Sequence, residues 1–229
     1  MSMHFCAKAL SIPLCLIAGT AFALSLADLS TRDTGNGLKA ALEKGSVAAV
    51  SSLGAENGFL NNDKVRIPLP GLLEKVRPLL KMSGHGQQLD DLVLSMNRAA
   101  EAAVPLARPL LINAVKSMSF TDVKNILTGG DTSVTDFFRA KTADQLAVKF
   151  LPIVKKVTDR SGLSAKYNGV MGQVSKMGLG QQPASVEGYV TQRTLDGLFV
   201  MIGEEEKAIR RDPLGSGSMI IGKVFGALH

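Results

Sequence analysis

The sequence predicts an all-α protein: a single multi-helix bundle with proline-bent long helices, preceded by a signal peptide. Three observations carry this expectation. Aliphatic side chains recur with a period near 3.6 along most of the chain, as in Leu146, Phe150, Ile153, Val154 and Val157. Val, Ile and Thr never alternate with polar residues for more than a few positions, and no Asn-Gly or Asp-Gly turn joins two such runs. Residues that suit helix starts and stops punctuate the periodic stretches.

Lys8 is the only charged residue before Asp28, and the apolar run Ala9–Ala23 after it ends in Ala21-Phe22-Ala23. That basic, apolar, small-x-small order reads as a secretory signal over residues 1–23. The run of about fifteen residues is shorter than the roughly twenty a membrane-spanning helix needs, so no transmembrane anchor is expected after cleavage near Ala23. Lipidation at Cys15 is disfavoured, because Pro13 and Leu14 stand where small residues should precede a lipidated cysteine. The expected product is a periplasmic domain over residues 24–229. Both cysteines, Cys6 and Cys15, fall within the signal, which leaves a cysteine-free mature domain and excludes thiolate nucleophiles, thiolate metal sites and disulfide support.

Within that domain the first helix is expected over about Gly37–Leu53, with Leu38, Leu42, Val47 and Val50 on one stripe and Asn36 as its cap. Pro68 and Pro70 remove two backbone donors and bar a long helix from Gly58–Pro70. Pro70 can open the next helix, which carries Leu72, Leu73, Val76, Leu79 and Leu80 and stops in Ser83–Gly86. A long helical stretch follows from about Gln87 to Ser117; at Pro105 and Pro109 either two helices meet at an angle or one bends. Ser119 and Asp122 resemble a capping box opening a short helix to Leu127. Asp131, Thr132 or Ser133 starts a turn through Phe137 and Phe138, and Thr142 is expected to cap a separate helix, kinked at Pro152 and ended by Ser161-Gly162. Ser164–Met177, then a Ser185-capped helix to Arg211 and a short apolar helix over Met219–Phe225, complete the series.

Chemistry-bearing motifs are few. His85 sits between two glycines and reads as a turn residue; neither a zinc motif nor the paired Glu-x-x-His of a di-iron bundle is present, so no metal and no cofactor are expected. Gly217–Lys223 matches the start of a phosphate-binding loop and then fails, because Val224 replaces the metal-binding hydroxyl. Glu204-Glu205-Glu206-Lys207 reads as a solvated helix end with Glu204–Lys207 and Glu206–Arg210 pairs, since adjacent helical carboxylates fan apart and cannot converge on one ion.

One constellation is expected to be partly buried. Asn97, Glu101 and Arg108 share a helix face among Ala99, Ala100, Ala102 and Ala103, where small side chains let another helix approach. Buried polar groups must be paired, so the reading is an internal salt bridge or, with Arg193 or Asp196, the polar wall of a pocket between helices. The second candidate is a basic surface formed by Lys149, Lys155, Lys156 and Arg160, suited to an anionic lipid surface or an acidic partner. Nucleic acid is not an expected partner: the formal charge is only +6, tryptophan is absent, and no aromatic residues interleave with the basic ones.

Five stretches together resemble the bacterial exported family catalogued as domain of unknown function 4197: Gly58–Pro70 (GFLNNDKVRIPLP), Ser95–Pro105 (SMNRAAEAAVP), Asn125–Asp131 (NILTGGD), Lys149–Lys156 (KFLPIVKK) and Leu195–Lys207 (LDGLFVMIGEEEK). The resemblance implies an exported helical protein and carries over no activity, ligand or catalytic residue. The leading functional expectation is a non-catalytic periplasmic protein that binds a hydrophobic small molecule, a lipid or a partner helix. Proline-bent amphipathic helices and nine methionines able to line adaptable surfaces motivate it. The alternatives are an envelope enzyme using Glu101 as acid or base without metal or cysteine, and a structural or assembly factor of the cell envelope. A cargo-binding protein requires a closed apolar cavity with a charged pair at its wall; an assembly factor requires a large exposed apolar patch.

Overall fold

Helix formation follows the apolar periodicity closely enough that the computed structural model, which describes residues 31–176, 178 and 185–211, contains helices and no strand among those residues. In chain order they are α1 (Thr31–Gly54), α2 (Gly71–Met82), α3 (Gly86–Ala103), α4 (Ala107–Lys116), α5 (Phe120–Thr128), α6 (Ser133–Ser161), α7 (Leu163–Lys176) and α8 (Val186–Arg211). The protein is all-α. The expected signal peptide, the expected Asp212-Pro213 stop, the incomplete phosphate-loop match and the expected Met219–Phe225 helix lie outside the described residues.

Pro105 decides the middle of the chain. It falls in a single 3-10 turn, Val104–Leu106, which separates α3 from α4, so the Gln87–Ser117 stretch is two helices joined by a tight turn. Pro109 is accommodated in the first turn of α4, where its missing N–H costs nothing. Ser119 and Asp122 form the expected capping box: the Ser119 hydroxyl accepts from the Asp122 N–H at 3.1 Å, and the Asp122 carboxylate accepts from the Ser119 N–H at 2.9 Å. These bonds hold the Asp122 carboxyl below its ordinary value. Ser185 caps α8 by accepting from the Gly188 N–H at 3.1 Å.

Two expected boundaries are corrected. Asn36 is not a cap, since α1 already includes Thr31. Thr142 is not a cap either: it lies in the interior of α6, 3% exposed, and donates to the Phe138 carbonyl at 2.7 Å. The reason for the second error is physical. Val134, Phe138, Thr142, Leu146, Phe150, Val154 and Thr158 are buried at every fourth residue. With 3.6 residues per turn, such a stripe drifts by about 40° at each step, so it winds around the helix instead of running down one face. A fixed-face reading therefore breaks where the stripe has drifted, although the helix continues through Pro152.

That winding stripe makes α6 the central helix. It packs most heavily on α8 and α3, and also touches α4, α5 and α7. Phe138 and Phe150 of α6 and Phe199 of α8 are fully buried and, with Leu89, Leu92, Met96 and Leu111, belong to one continuous apolar core. The peripheral helix is α2, which packs chiefly on α3 and leaves Leu79 and Met82 exposed.

Candidate functional site

The segment between α1 and α2, residues 55–70, is irregular because of its prolines, yet it is held down tightly. Asn57 adopts a left-handed conformation (φ 67°), which asparagine tolerates better than most residues. At Gly58 a side-chain carbon would lie 2.3 Å from the Ser52 carbonyl oxygen, so glycine is required there. Phe59 then enters the core against Gly197 of α8, where an added carbon would come within 2.7 Å of the ring.

Backbone groups in this strap need partners in place of a ladder or helix. Glu101, 6% exposed, supplies two: its Oε1 accepts from the Phe59 and Leu60 N–H groups at 3.1 and 3.2 Å. Its Oε2 accepts from Arg98 at 2.6 Å, and Arg98 also reaches Glu56 at 3.1 Å and Asn57 at 3.0 Å. Asn97, fully buried, mimics a strand partner for Ile67. It accepts from the Ile67 N–H and donates to the Ile67 carbonyl, both at 2.9 Å, while donating to Val93 of its own helix at 2.8 Å. Tyr189 on α8 donates to the Pro68 carbonyl at 3.0 Å.

Of the five residues expected in a buried polar network, the structure brings Asn97 and Glu101 together on this strap and leaves the other three out. Arg108 is exposed, because the 3-10 turn at Val104–Leu106 breaks the helical register that would have aligned it with Glu101. Arg193 is exposed and lies over the Tyr189 ring at 5.3 Å, and Asp196 accepts from Gln192 at 3.0 Å. The arginine that meets Glu101 is Arg98, three residues before it.

A second buried carboxylate was missed as such. Glu206, expected in a solvated helix end, is 4% exposed and sits at the N-terminus of α6. It accepts from the Val134 and Thr135 N–H groups and the Thr135 hydroxyl, each at 3.1 Å. Arg210, one turn later on α8, contacts it at 3.0 Å and the Ser133 hydroxyl at 2.8 Å. The Glu206–Arg210 and Glu204–Lys207 pairs form as expected, the second at 3.3 Å. The only sequence signal for burial was the i, i+4 spacing with arginine, which exposed pairs share; the groups Glu206 caps lie about seventy positions earlier. Glu205 beside it is half-buried, and burial raises its carboxyl above the ordinary value.

Between α1, α6 and α8 lies a small cavity lined by Ala41, Leu42, Gly45, Phe138, Ile202 and Ile209, with Glu205 and Glu206 at its wall. Its volume is about 10 Å³, room for at most one water molecule. His85 precedes α3 as its cap residue, and its Nδ1 lies 3.1 Å from the Ser83 hydroxyl.

On the outside of α6, Lys149, Lys155, Lys156 and Arg160 are all exposed, as are Val148 (75%) and Leu151 (44%). The four basic side chains make no hydrogen bond or ion pair among the described residues. Lys155 is close enough to Glu187 on α8 to help hold that carboxyl below its ordinary value: burial pushes Glu187 up, and hydrogen bonds from Ser164, its own backbone and Ser185, together with Lys155, outweigh it.

Among the described residues, no group of His, Cys, Asp and Glu side chains is arranged to hold a metal ion, and no helix is long and apolar enough to cross a membrane. No curated protein and no solved structure matches the chain. Residues 28–226, which include the strap, both buried carboxylates and the basic face of α6, match the family described as "Protein of unknown function (DUF4197)", and the chain belongs to that family.

Proposed function

We propose that the protein is a non-catalytic helical component of the bacterial cell envelope that binds a lipid or a partner at its surface. The observation that carries this reading is the use made of the buried carboxylates. Glu101, the acid–base candidate of the sequence, has both oxygens occupied by Phe59, Leu60 and Arg98, and Glu206 is equally committed to α6. A general acid or base must reach a substrate atom, and a carboxylate spent on its own backbone would have to give up the strap to do so. The cavity beside Glu206 has two carboxylates, Glu205 and Glu206, at its wall and no cationic side chain in its lining, which falls short of the charged pair asked of a cargo site. Its 10 Å³ is far below the roughly 300 Å³ at which small-molecule pockets begin. The basic and apolar leader at residues 1–23 supports export and a periplasmic site for this surface.

The test is recovery of the native protein from the producing bacterium, with its compartment, intact mass and bound species recorded by fractionation and native mass spectrometry. The expected result is an envelope fraction, a chain beginning near Leu24 and no stoichiometric small molecule. A full-length chain in the cytosol defeats the envelope assignment. A small molecule retained one-to-one defeats the surface-binding assignment.

A further inference from the structure

We infer that the outer face of α6 is a docking surface for anionic lipid. This rests on the surface-binding reading above and names its partner. Val148, Leu151, Pro152 and Lys155 are spaced i, i+3, i+4 and i+7, so they form one ridge on the helix. All four are exposed, on the side away from the buried stripe at the middle of the helix. Lys149, Lys156 and Arg160, at spacings of seven and four, form a basic row beside it. The outer half of this helix thus repeats the plan of an interfacial helix, with aliphatic groups along one line and long cationic side chains along the next.

The side chains of Lys149, Lys156 and Arg160 form no ion pair with a carboxylate among the described residues, so their charges stay available to an anionic surface. Lys155 is attracted to Glu187 without forming an ion pair within 4 Å. Asp144 and Asp159 share the exposed surface and reduce its excess, so the face remains positive but weakly so, as suits reversible attachment.

Lipid fits this face better than an acidic protein for two reasons. Lysine and arginine stems can lie along an apolar layer while their charges stay at its edge. The exposed aliphatic groups stand between the charges on a convex helix, where a bilayer can yield to them and a rigid acidic protein surface has to supply a matching groove. No aromatic anchor is present on the ridge, so attachment depends on charge and weakens with salt.

The test is sedimentation of the protein, in the form recovered from the producing bacterium, with equimolar phosphatidylcholine and phosphatidylglycerol vesicles, with pure phosphatidylcholine vesicles, and with immobilised polyglutamate. Binding to the anionic vesicles only, reversed by salt, is expected. Combined Lys149→Gln, Lys155→Gln, Lys156→Gln and Arg160→Gln should weaken it at least tenfold, since each basic group near an anionic surface is worth roughly fivefold in partitioning. Val148→Ser with Leu151→Ser should weaken it several-fold without changing the melting temperature. Vesicle binding unaffected by either set of substitutions overturns the inference, as does absence of vesicle binding. Retention on polyglutamate stronger than on anionic vesicles also overturns it, in favour of an acidic protein partner. None of these outcomes bears on compartment or bound cargo, so a failure here is separable from a failure of the surface-binding reading.

Discussion

Glu101 and Glu206 solve the same problem at opposite kinds of backbone. Each is nearly buried, each accepts from two consecutive N–H groups of a distant segment, and each is met by an arginine on its own helix. Glu101 serves the proline-interrupted strap, which has no regular pairing of its own. Glu206 serves the first turn of α6, where orphan N–H groups and the positive end of the helix dipole already favour an anion. Their arginines differ as well: the Arg98 side chain is 33% exposed and has Glu56 and Asn57 as further partners, whereas that of Arg210 is 15% exposed and is committed to the Glu206–Ser133–Ile126 cluster. The cost of losing a buried carboxylate depends on what its partners can fall back on.

Removal of the Glu206 carboxylate should therefore be the most damaging of the changes that probe this contrast. Glu206→Ala removes the nearly buried carboxylate that faces Arg210 and uncaps α6, the central helix; breaking such a pair costs about 3–5 kcal/mol. Urea unfolding of the variant should show the midpoint falling accordingly with the slope unchanged. A loss no larger than that of an exposed ion pair, below about 1 kcal/mol, would mean that the first turn of α6 rehydrates freely. Glu101→Ala should cost less, about 2–3 kcal/mol, because Arg98 keeps two partners and only the Phe59 and Leu60 donors are stranded. Hydrogen exchange should show the change confined mainly to residues 55–70. Uniform loss of protection across α6 and α8 instead would show that the strap is not a separable unit.

The smallest effect is expected at Glu205, within the same turn of α8 as Glu206. Glu205 adjoins Glu206 but is half-buried, with no donor hydrogen-bonded to it among the described residues, and burial raises its pKa. A carboxyl whose folded-state pKa lies above its unfolded value contributes its full stabilisation below the unfolded value, and loses it as pH rises through the folded value. At neutral pH the ionised group is thus a liability, and Glu205→Gln should stabilise the protein by a few tenths of a kcal/mol after solvent screening. Thermal melts should show that gain at pH 7 and none at pH values below the ordinary carboxyl range. A Gln variant less stable at neutral pH would reveal a favourable partner for the ionised group.

Legibility differed between the elements for identifiable reasons. Local signals held where the partner is a few residues away: the Ser119–Asp122 box, the Ser185 cap and the Glu204–Lys207 pair all form as read from spacing. Asn97 and Glu101 were identifiable as buried because alanines surround them, yet Arg108 was assigned to the same face by extending a helix through a proline turn that resets the register. Glu206 was misjudged because three adjacent carboxylates look solvated from sequence, and the N-terminus that claims one of them belongs to another part of the chain.

Local patterns were enough for the all-helical class, the Ser119 and Ser185 caps, the break at Pro105 as one of two readings, and the family, since each rests on periodicity, capping or composition within a short window. Only the tertiary structure decided that α6 is one winding helix at the centre, and which arginine each buried carboxylate meets. It alone decided that the strap is fastened from α3 and α8. The physical reason is that a buried polar group takes whichever donors the packing brings within about 3 Å, and packing is set by apolar faces that carry no record of the polar partners they bring together.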